Sequence, residues 1–173
     1  MLQKLLLTRH AKSDWGDPTL DDHERPLNAR GREACVLLAS ALHARGHSPD
    51  RIWCSSAVRT RETATRLMRA HSSLGSAGPQ SVEVFPDFYH ASASKVLNIL
   101  AGEEARIAEL DGGLMLLGHN PGWQGLVEHY TGDMRRMPTG ATLVLGRTDP
   151  GKPAWERGAW TPLDWLKPKD LLT

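Results

Sequence analysis

The chain has 173 residues, with 21 Lys or Arg against 20 Asp or Glu and a formal net charge of +1. That length suits one domain over residues 1–173, and a chain of this size buries roughly 70% of its unfolded surface without covalent staples. With 40% hydrophobic and 24% charged residues, global disorder is excluded, and the balanced charge gives no general pull toward nucleic acid or anionic lipid.

Two cysteines, Cys35 and Cys54, cannot supply a disulfide framework or a four-cysteine zinc site. Free thiols in a reducing cytoplasm are the expectation. Residues 1–9 hold too short an apolar run for a signal peptide. Nowhere do apolar residues approach the ~20 needed to cross a bilayer. A soluble cytoplasmic protein is expected, with no nucleic-acid or membrane partner and an oligomeric state that composition leaves open.

Residues 4–8 read as a short buried strand ending at Arg9-His10. Residues 13–26, rich in Asp, Gly and Pro, read as a loop. A helix is predicted over 28–45, where Ala34, Val36, Leu37, Leu38, Ala41 and Leu42 recur at helical spacing and Gly46 follows as a stop. A second strand is predicted over 51–54. Ser55 and Ser56 then offer N-cap chemistry for a helix reaching about residue 70. A Ser-, Gly- and Pro-rich loop covers 72–80, a strand 82–85, and Ser92 or Ser94 opens another helix toward Leu100. Residues 103–110 look helical, 114–117 form the best buried strand, and Gly118-His119-Asn120-Pro121-Gly122 breaks it before a helix over 123–130. Strands over 141–146 and within 154–166 complete the chain, which has no repeats.

Strands alternating with helices predict an α/β fold, a three-layer α/β/α sandwich around a largely parallel sheet. In such sheets the working site lies beyond the carboxyl ends of the strands. Arg9-His10 follows the first strand, the segment from Ser55 to Arg59 the second, and His119 the strand over 114–117. Two arginines and two histidines therefore converge on one end of the sheet. Guanidinium forks suit the oxygens of a phosphoryl group. A histidine between them titrates low and stays neutral, as attack on phosphorus demands. The same arginines would stabilise transition-state charge without a metal.

These residues carry a resemblance. Thr8-Arg9-His10-Ala11 after an N-terminal strand resembles the Arg-His signature of the histidine phosphatase superfamily. Asp22-His23-Glu24-Arg25-Pro26-Leu27 with Gly31, Ser55-Ser56-Ala57-Val58-Arg59 with Thr63-Ala64, and Gly118-His119-Asn120-Pro121 match its small bacterial phosphohistidine phosphatases. The four blocks occur in the family's order between Lys4 and about Tyr130. The resemblance implies a phosphoglycerate mutase-like fold without cofactor, with His10 as the transiently phosphorylated nucleophile. Arg9 and Arg59 would grip the phosphoryl oxygens, His119 would donate a further hydrogen bond, and Arg25 is a weaker phosphate-binding candidate. The implied partner is a phosphorylated protein or small phosphorylated substrate.

One feature departs from the larger relatives that act on phosphate monoesters, which use a glutamate to protonate the leaving alkoxide. Pro86-Asp87-Phe88-Tyr89-His90 holds no glutamate. An imidazole leaves more easily than an alkoxide, so the sequence favours a P–N substrate. Asp21, Asp22, Asp87 and His90 are the remaining acid candidates, with Asp22 and Arg25 better read as a loop-fixing ion pair. A monoester phosphatase or mutase, and a phosphate-binding module without turnover, are the alternatives.

Three other patterns fail on chemistry. The run from Cys54 to Arg59 mimics the thiolate loop of cysteine phosphatases, but that loop needs one more residue than the four found between them. Gly146-Arg147-Thr148-Asp149-Pro150-Gly151-Lys152-Pro153 almost spells a P-loop, yet proline stands where a magnesium-binding hydroxyl is required. Asp21-Asp22-His23-Glu24 lacks a second histidine at metal-ligand spacing and reads as a charged loop. Trp155, Trp160 and Trp165 are spaced for neither a helix face nor a strand face and are assigned to the sheet edge and core rim.

Overall fold

Leu5, Leu6 and Leu7 are all buried, as a strand covered on both faces requires. They lie in β1 (Leu2–Arg9) near the middle of a six-stranded sheet in a computed structural model that describes residues 1–75 and 77–172. The other strands are β2 (Arg51–Cys54), β3 (Ser81–Val84), β4 (Gly112–Gly118), β5 (Thr142–Arg147) and β6 (Trp160–Leu166), in the order β3-β2-β4-β1-β5-β6. β5 runs antiparallel to both its neighbours, and the other strands share one direction.

Helices cover both faces, giving the expected three-layer α/β/α arrangement. On one side α1 (Ala29–Ala44) and α2 (Val58–Ser73) pack Leu38, Leu42 and Leu67 against Leu6, Ile52, Met115 and Leu117. On the other, α3 (Ala93–Gly102), α4 (Glu104–Ala108) and α5 (Gly122–Thr131) pack Leu100, Ile107, Trp123 and Leu126 against Leu5, Leu7, Leu114 and Leu116. Burying a Leu or Ile side chain is worth about 1.5–3 kcal/mol, so the two layers together hold the sheet. Trp160 is buried at the rim of the second cluster, with Trp155 and Trp165 packed partly buried beside it. No helix among the described residues is long and apolar enough to cross a membrane.

Four local expectations need correction. Val36 is exposed, because the buried stripe of α1 runs through Gly31, Cys35, Leu38, Ala39 and Leu42 instead. Ser55 and Ser56 do not cap α2; its N-cap residue is Ala57, which has no capping side chain, and both serines bond elsewhere. The same helix runs on to Ser73, into the loop expected over 72–80, and Ser76 of that loop lies outside the described residues. The strand expected over 82–85 is Ser81–Val84, freeing Phe85 to pack on Trp53 and stack on Phe88.

The register places the site. Thr8 lies level with Leu117, and Leu117 with Cys54, so β1, β4 and β2 finish side by side. Whatever follows them must meet.

Candidate active site

His10 follows β1 directly and is 6% exposed. Its Nδ1 lies 2.7 Å from the Ala11 carbonyl oxygen. A carbonyl only accepts, so Nδ1 carries the proton and Nε2 keeps a lone pair. Arg59, in the first turn of α2, donates from Nε to that Nε2 at 3.3 Å. Thr63, one turn further along α2, accepts from the Ala11 amide at 3.1 Å and donates to the Arg59 carbonyl at 2.7 Å. Its hydroxyl thus ties the histidine segment to the arginine helix.

His119 follows β4, and its ring centroid lies 5.1 Å from that of His10. Ser55, at the end of β2, approaches His119 Nε2 at 2.5 Å. If the hydroxyl donates there, Nδ1 carries the His119 proton, and this buried Nδ1 has no partner among the described residues. Arg9 donates through Nη1 to the Met137 carbonyl at 3.0 Å, leaving its buried Nε unpaired. Asn120 donates from Nδ2 to the same carbonyl at 2.9 Å. Two glycines of the sequence blocks serve close packing here. A Cβ on Gly118 would meet the Trp123 ring, and one on Gly31 would meet the backbone of Lys12.

Arg9, His10, Arg59 and His119 all line one open cleft of about 330 Å3, together with Lys12, Ser13, Trp15, Asp22, Arg25, His90, Asn120 and Thr139. The structure therefore brings the four principal candidates together. Arg25 also reaches the cleft, but three of its donors are engaged, by the Asp14 carbonyl, Asp22 Oδ1 and Ser13 Oγ. Its guanidinium lies 3.2 Å from the centroid of the Trp15 ring. These contacts brace the loop over 13–26.

Of the acid candidates, Asp22 is the most constrained. It accepts from Tyr89 at 2.7 Å and from Arg59 Nη2 at 3.0 Å. Burial alone would raise its carboxyl pKa, but the Tyr89 hydroxyl and the Arg59 and Arg25 guanidiniums outweigh burial and hold it at about 2. An acid that strong is ionised at neutral pH and has no proton to give. The expected Asp22–Arg25 pair is present at 3.0 Å. Asp87 pairs with Lys95 at 3.0 Å and does not line the cleft, nor does exposed Asp21. His90 does line it, 3.8 Å from Asp22 Oδ2, with its backbone at φ +55°.

Burial lowers the His10 pKa to about 3; the Ala11 carbonyl opposes this, and the charges of Arg59, Arg9 and Arg25 reinforce it. Burial and then the neighbouring His10 and Arg59 lower His119 to about 2. Both rings are neutral at pH 7. Burial raises the Cys54 thiol to about 12 against the opposing charge of Arg61, so it is a protonated strand-end residue rather than a thiolate.

Neutral burial makes stability depend on pH. The unfolded chain binds protons at His10 and His119 below their ordinary 6.5, while the folded chain refuses them at these two rings. Stability is therefore expected to fall as pH drops from about 6.5 toward 3, by about 2 kcal/mol per histidine at pH 5 relative to pH 7. Urea unfolding across that range measures the slope, and His119→Asn flattens it. A wild-type stability that stays level from pH 7 to about 5 would contradict neutral burial.

Sequence reasoning missed Tyr89 as a partner of Asp22 and the contribution of Met137 and Thr139 from the segment before β5. Ser55 was visible in its block, but its local position signalled a helix cap. Among the described residues, no group of three or more His, Cys, Asp or Glu side chains is placed to hold a metal ion.

Comparison with known proteins agrees with this fold. Residues 5–83 match the model of the histidine phosphatase superfamily, branch 1. An uncharacterized chloroplastic protein of Arabidopsis thaliana is 31% identical over 146 residues, covering 83% of this chain and 66% of the relative. The chain thus spans just under two thirds of that relative's length. A crystal structure assigned as the phosphohistidine phosphatase SixA of Agrobacterium tumefaciens superposes with a TM-score of 0.76 at 25% identity, covering 96% of this chain and 99% of that one. The protein histidine phosphatase SixA complexed with tungstate shares the fold with a TM-score of 0.76 at 18% identity, over 97% of this chain and 99% of its own. With the signature blocks gathered at one end of this sheet, the chain matches the histidine phosphatase superfamily, branch 1, over residues 5–83.

Proposed function

We propose that the protein is a phosphohistidine phosphatase working through a phosphorylated His10. The observation that carries this reading is the state of one atom. His10 Nε2 keeps its lone pair because Nδ1 donates to the Ala11 carbonyl, and it faces a guanidinium in a buried setting that holds the ring neutral.

In the first step the Nε2 lone pair attacks phosphorus and the bond from phosphorus to the substrate nitrogen breaks. The leaving imidazole takes a proton and departs neutral. Arg9, Arg59 and the Nδ1–H of His119 hold the three non-bridging oxygens as charge spreads onto them. In the second step water attacks the phosphorus of phosphorylated His10. Inorganic phosphate departs, and His10 returns to its starting form.

The P–N bond is favoured over P–O for a physical reason. An alkoxide needs a proton from a positioned acid, but Asp22 is ionised, Asp87 is turned to Lys95, and Asp21 does not line the cleft. A leaving imidazole draws its proton from water in the open cleft, with His90 at the rim.

Hydrolysis of a phosphohistidine peptide against a panel of phosphate monoesters tests the assignment. The expected result is a kcat/KM at least about 100-fold higher on the peptide, the scale of a lost general acid. Equal or faster turnover of the monoesters would remove the P–N assignment and favour a monoester phosphatase of the same superfamily.

A further inference from the structure

A second groove opens beside the catalytic cleft and shares Lys12 and Thr139 with it. It holds about 220 Å3 between the start of α1, Pro138 and the C-terminal turn Pro168–Leu171. Leu37 and Pro168 give it a half-buried apolar floor. Lys12, Arg30, Lys167 and Lys169 surround that floor, with Glu33 the one acid among the lining residues.

This charge is not inherited from composition, since the whole chain carries only +1. Lys12, Arg30 and Lys169 are exposed. Of the four cations, only Lys167 has an ion-pair partner among the described residues, Asp170 at 3.2 Å. The first turn of α1 holds Arg30 and Arg32 and no acid, and its N-cap Asn28 is uncharged. The cations come from three separate elements, the segment after β1, α1 and the stretch around the C-terminal turn. They suit several carboxylates spaced along an extended chain.

We propose that this groove binds an acidic segment of a phosphorylated protein substrate while its phosphoryl group sits at His10. The inference rests on the phosphatase reading above and adds to it the character of the substrate. Arg30 and Lys169 line the groove and not the cleft, so a small phosphorylated molecule confined to the cleft leaves them untouched. A polypeptide leaving the cleft past Lys12 and Thr139 would enter the groove directly, with its apolar side chains on Leu37 and Pro168 and its carboxylates between the cations. Exposed charge pairs of this kind steer encounter and discriminate between partners more than they add raw affinity.

The test compares the full-length wild type with the double variant R30E/K169E on three substrates. These are phosphoramidate, a phosphohistidine peptide flanked by Asp and Glu, and the same peptide flanked by Ser. Wild type is expected to prefer the acidic peptide by about tenfold in kcat/KM, through KM, and to lose that preference as salt rises. The variant is expected to lose the preference while its phosphoramidate turnover stays at the wild-type level, which also reports an intact fold. Phosphoramidate turnover with the same peptide preference in both proteins would overturn the groove assignment alone. Failure of wild type on all three substrates would remove the phosphatase reading and the groove assignment with it.

Discussion

Replacing His10 with Ala is expected to lower kcat/KM on a phosphohistidine peptide by about 10,000-fold or more. The loss is this large because the proposed route forms its covalent bond at His10 Nε2, the ring atom set between the arginines. His119 lies on the same cleft, but its Nε2 is engaged by Ser55 at 2.5 Å. Cys54 stays protonated, with its thiol raised to about 12. A phosphoryl donor should label wild type on a nitrogen, giving a mark that is stable in alkali and lost in acid, and should leave the variant unlabelled. Retention of a tenth or more of wild-type turnover, or an unchanged label, would place the nucleophile elsewhere. The same experiment separates enzyme from binding module, since docking a phosphate requires no covalent mark.

Arg59→Ala carries the second-largest effect, a loss of about 100- to 1,000-fold in kcat, the scale of removing a principal transition-state donor. Arg59 is 5% exposed, and its three nitrogens reach His10 Nε2, the Asp22 carbonyl and Asp22 Oδ2. A lysine offers one point charge where this site uses a planar fork, so Arg59→Lys is expected to recover less than about a tenth of the loss. A second readout distinguishes direct action from mere support. The Arg59 charge helps to hold His10 below its ordinary 6.5. Its removal lets the imidazole keep its proton to higher pH, so the acid limb of the kcat/KM profile should move upward. A variant with full turnover and an unmoved acid limb would show that Arg59 takes no part.

The two variants divide the work of the site. In the proposed mechanism His10 supplies the electron pair, and Arg59 sets its availability while receiving the charge that develops. Burial underlies both functions, because the low-dielectric setting that strips the proton from His10 also strengthens every guanidinium contact. The cost of that burial appears as the acid sensitivity expected of the folded chain. A site of this kind trades acid stability for a neutral nucleophile.

The recurring short apolar runs determined the α/β class, because a strand covered on both faces has to be apolar throughout. The positions of Arg9-His10, Ser55 to Arg59 and His119 just after such runs determined which end of the sheet gathers these residues. Local reasoning went astray where one residue type answers two demands. Ser55 has the chemistry of a helix cap, and only the neighbouring β4 supplies the His119 ring that takes its hydroxyl. Val36 fits the helical period, yet the angle at which α1 meets the sheet turns Cys35 and Ala39 inward instead. Asp22 was legible as a partner for Arg25, but its contacts with Arg59 and Tyr89 join residues 37 and 67 positions away. The pairing of Arg9 with Met137, 128 residues on, depends on β5 running antiparallel beside β1. Sequence therefore settled which groups are present and which strand ends carry them, since those follow from local pattern. The depth of burial, the long-range pairing and the charged groove were settled by the tertiary fold, because burial and Coulomb interaction depend on distance in space rather than separation along the chain.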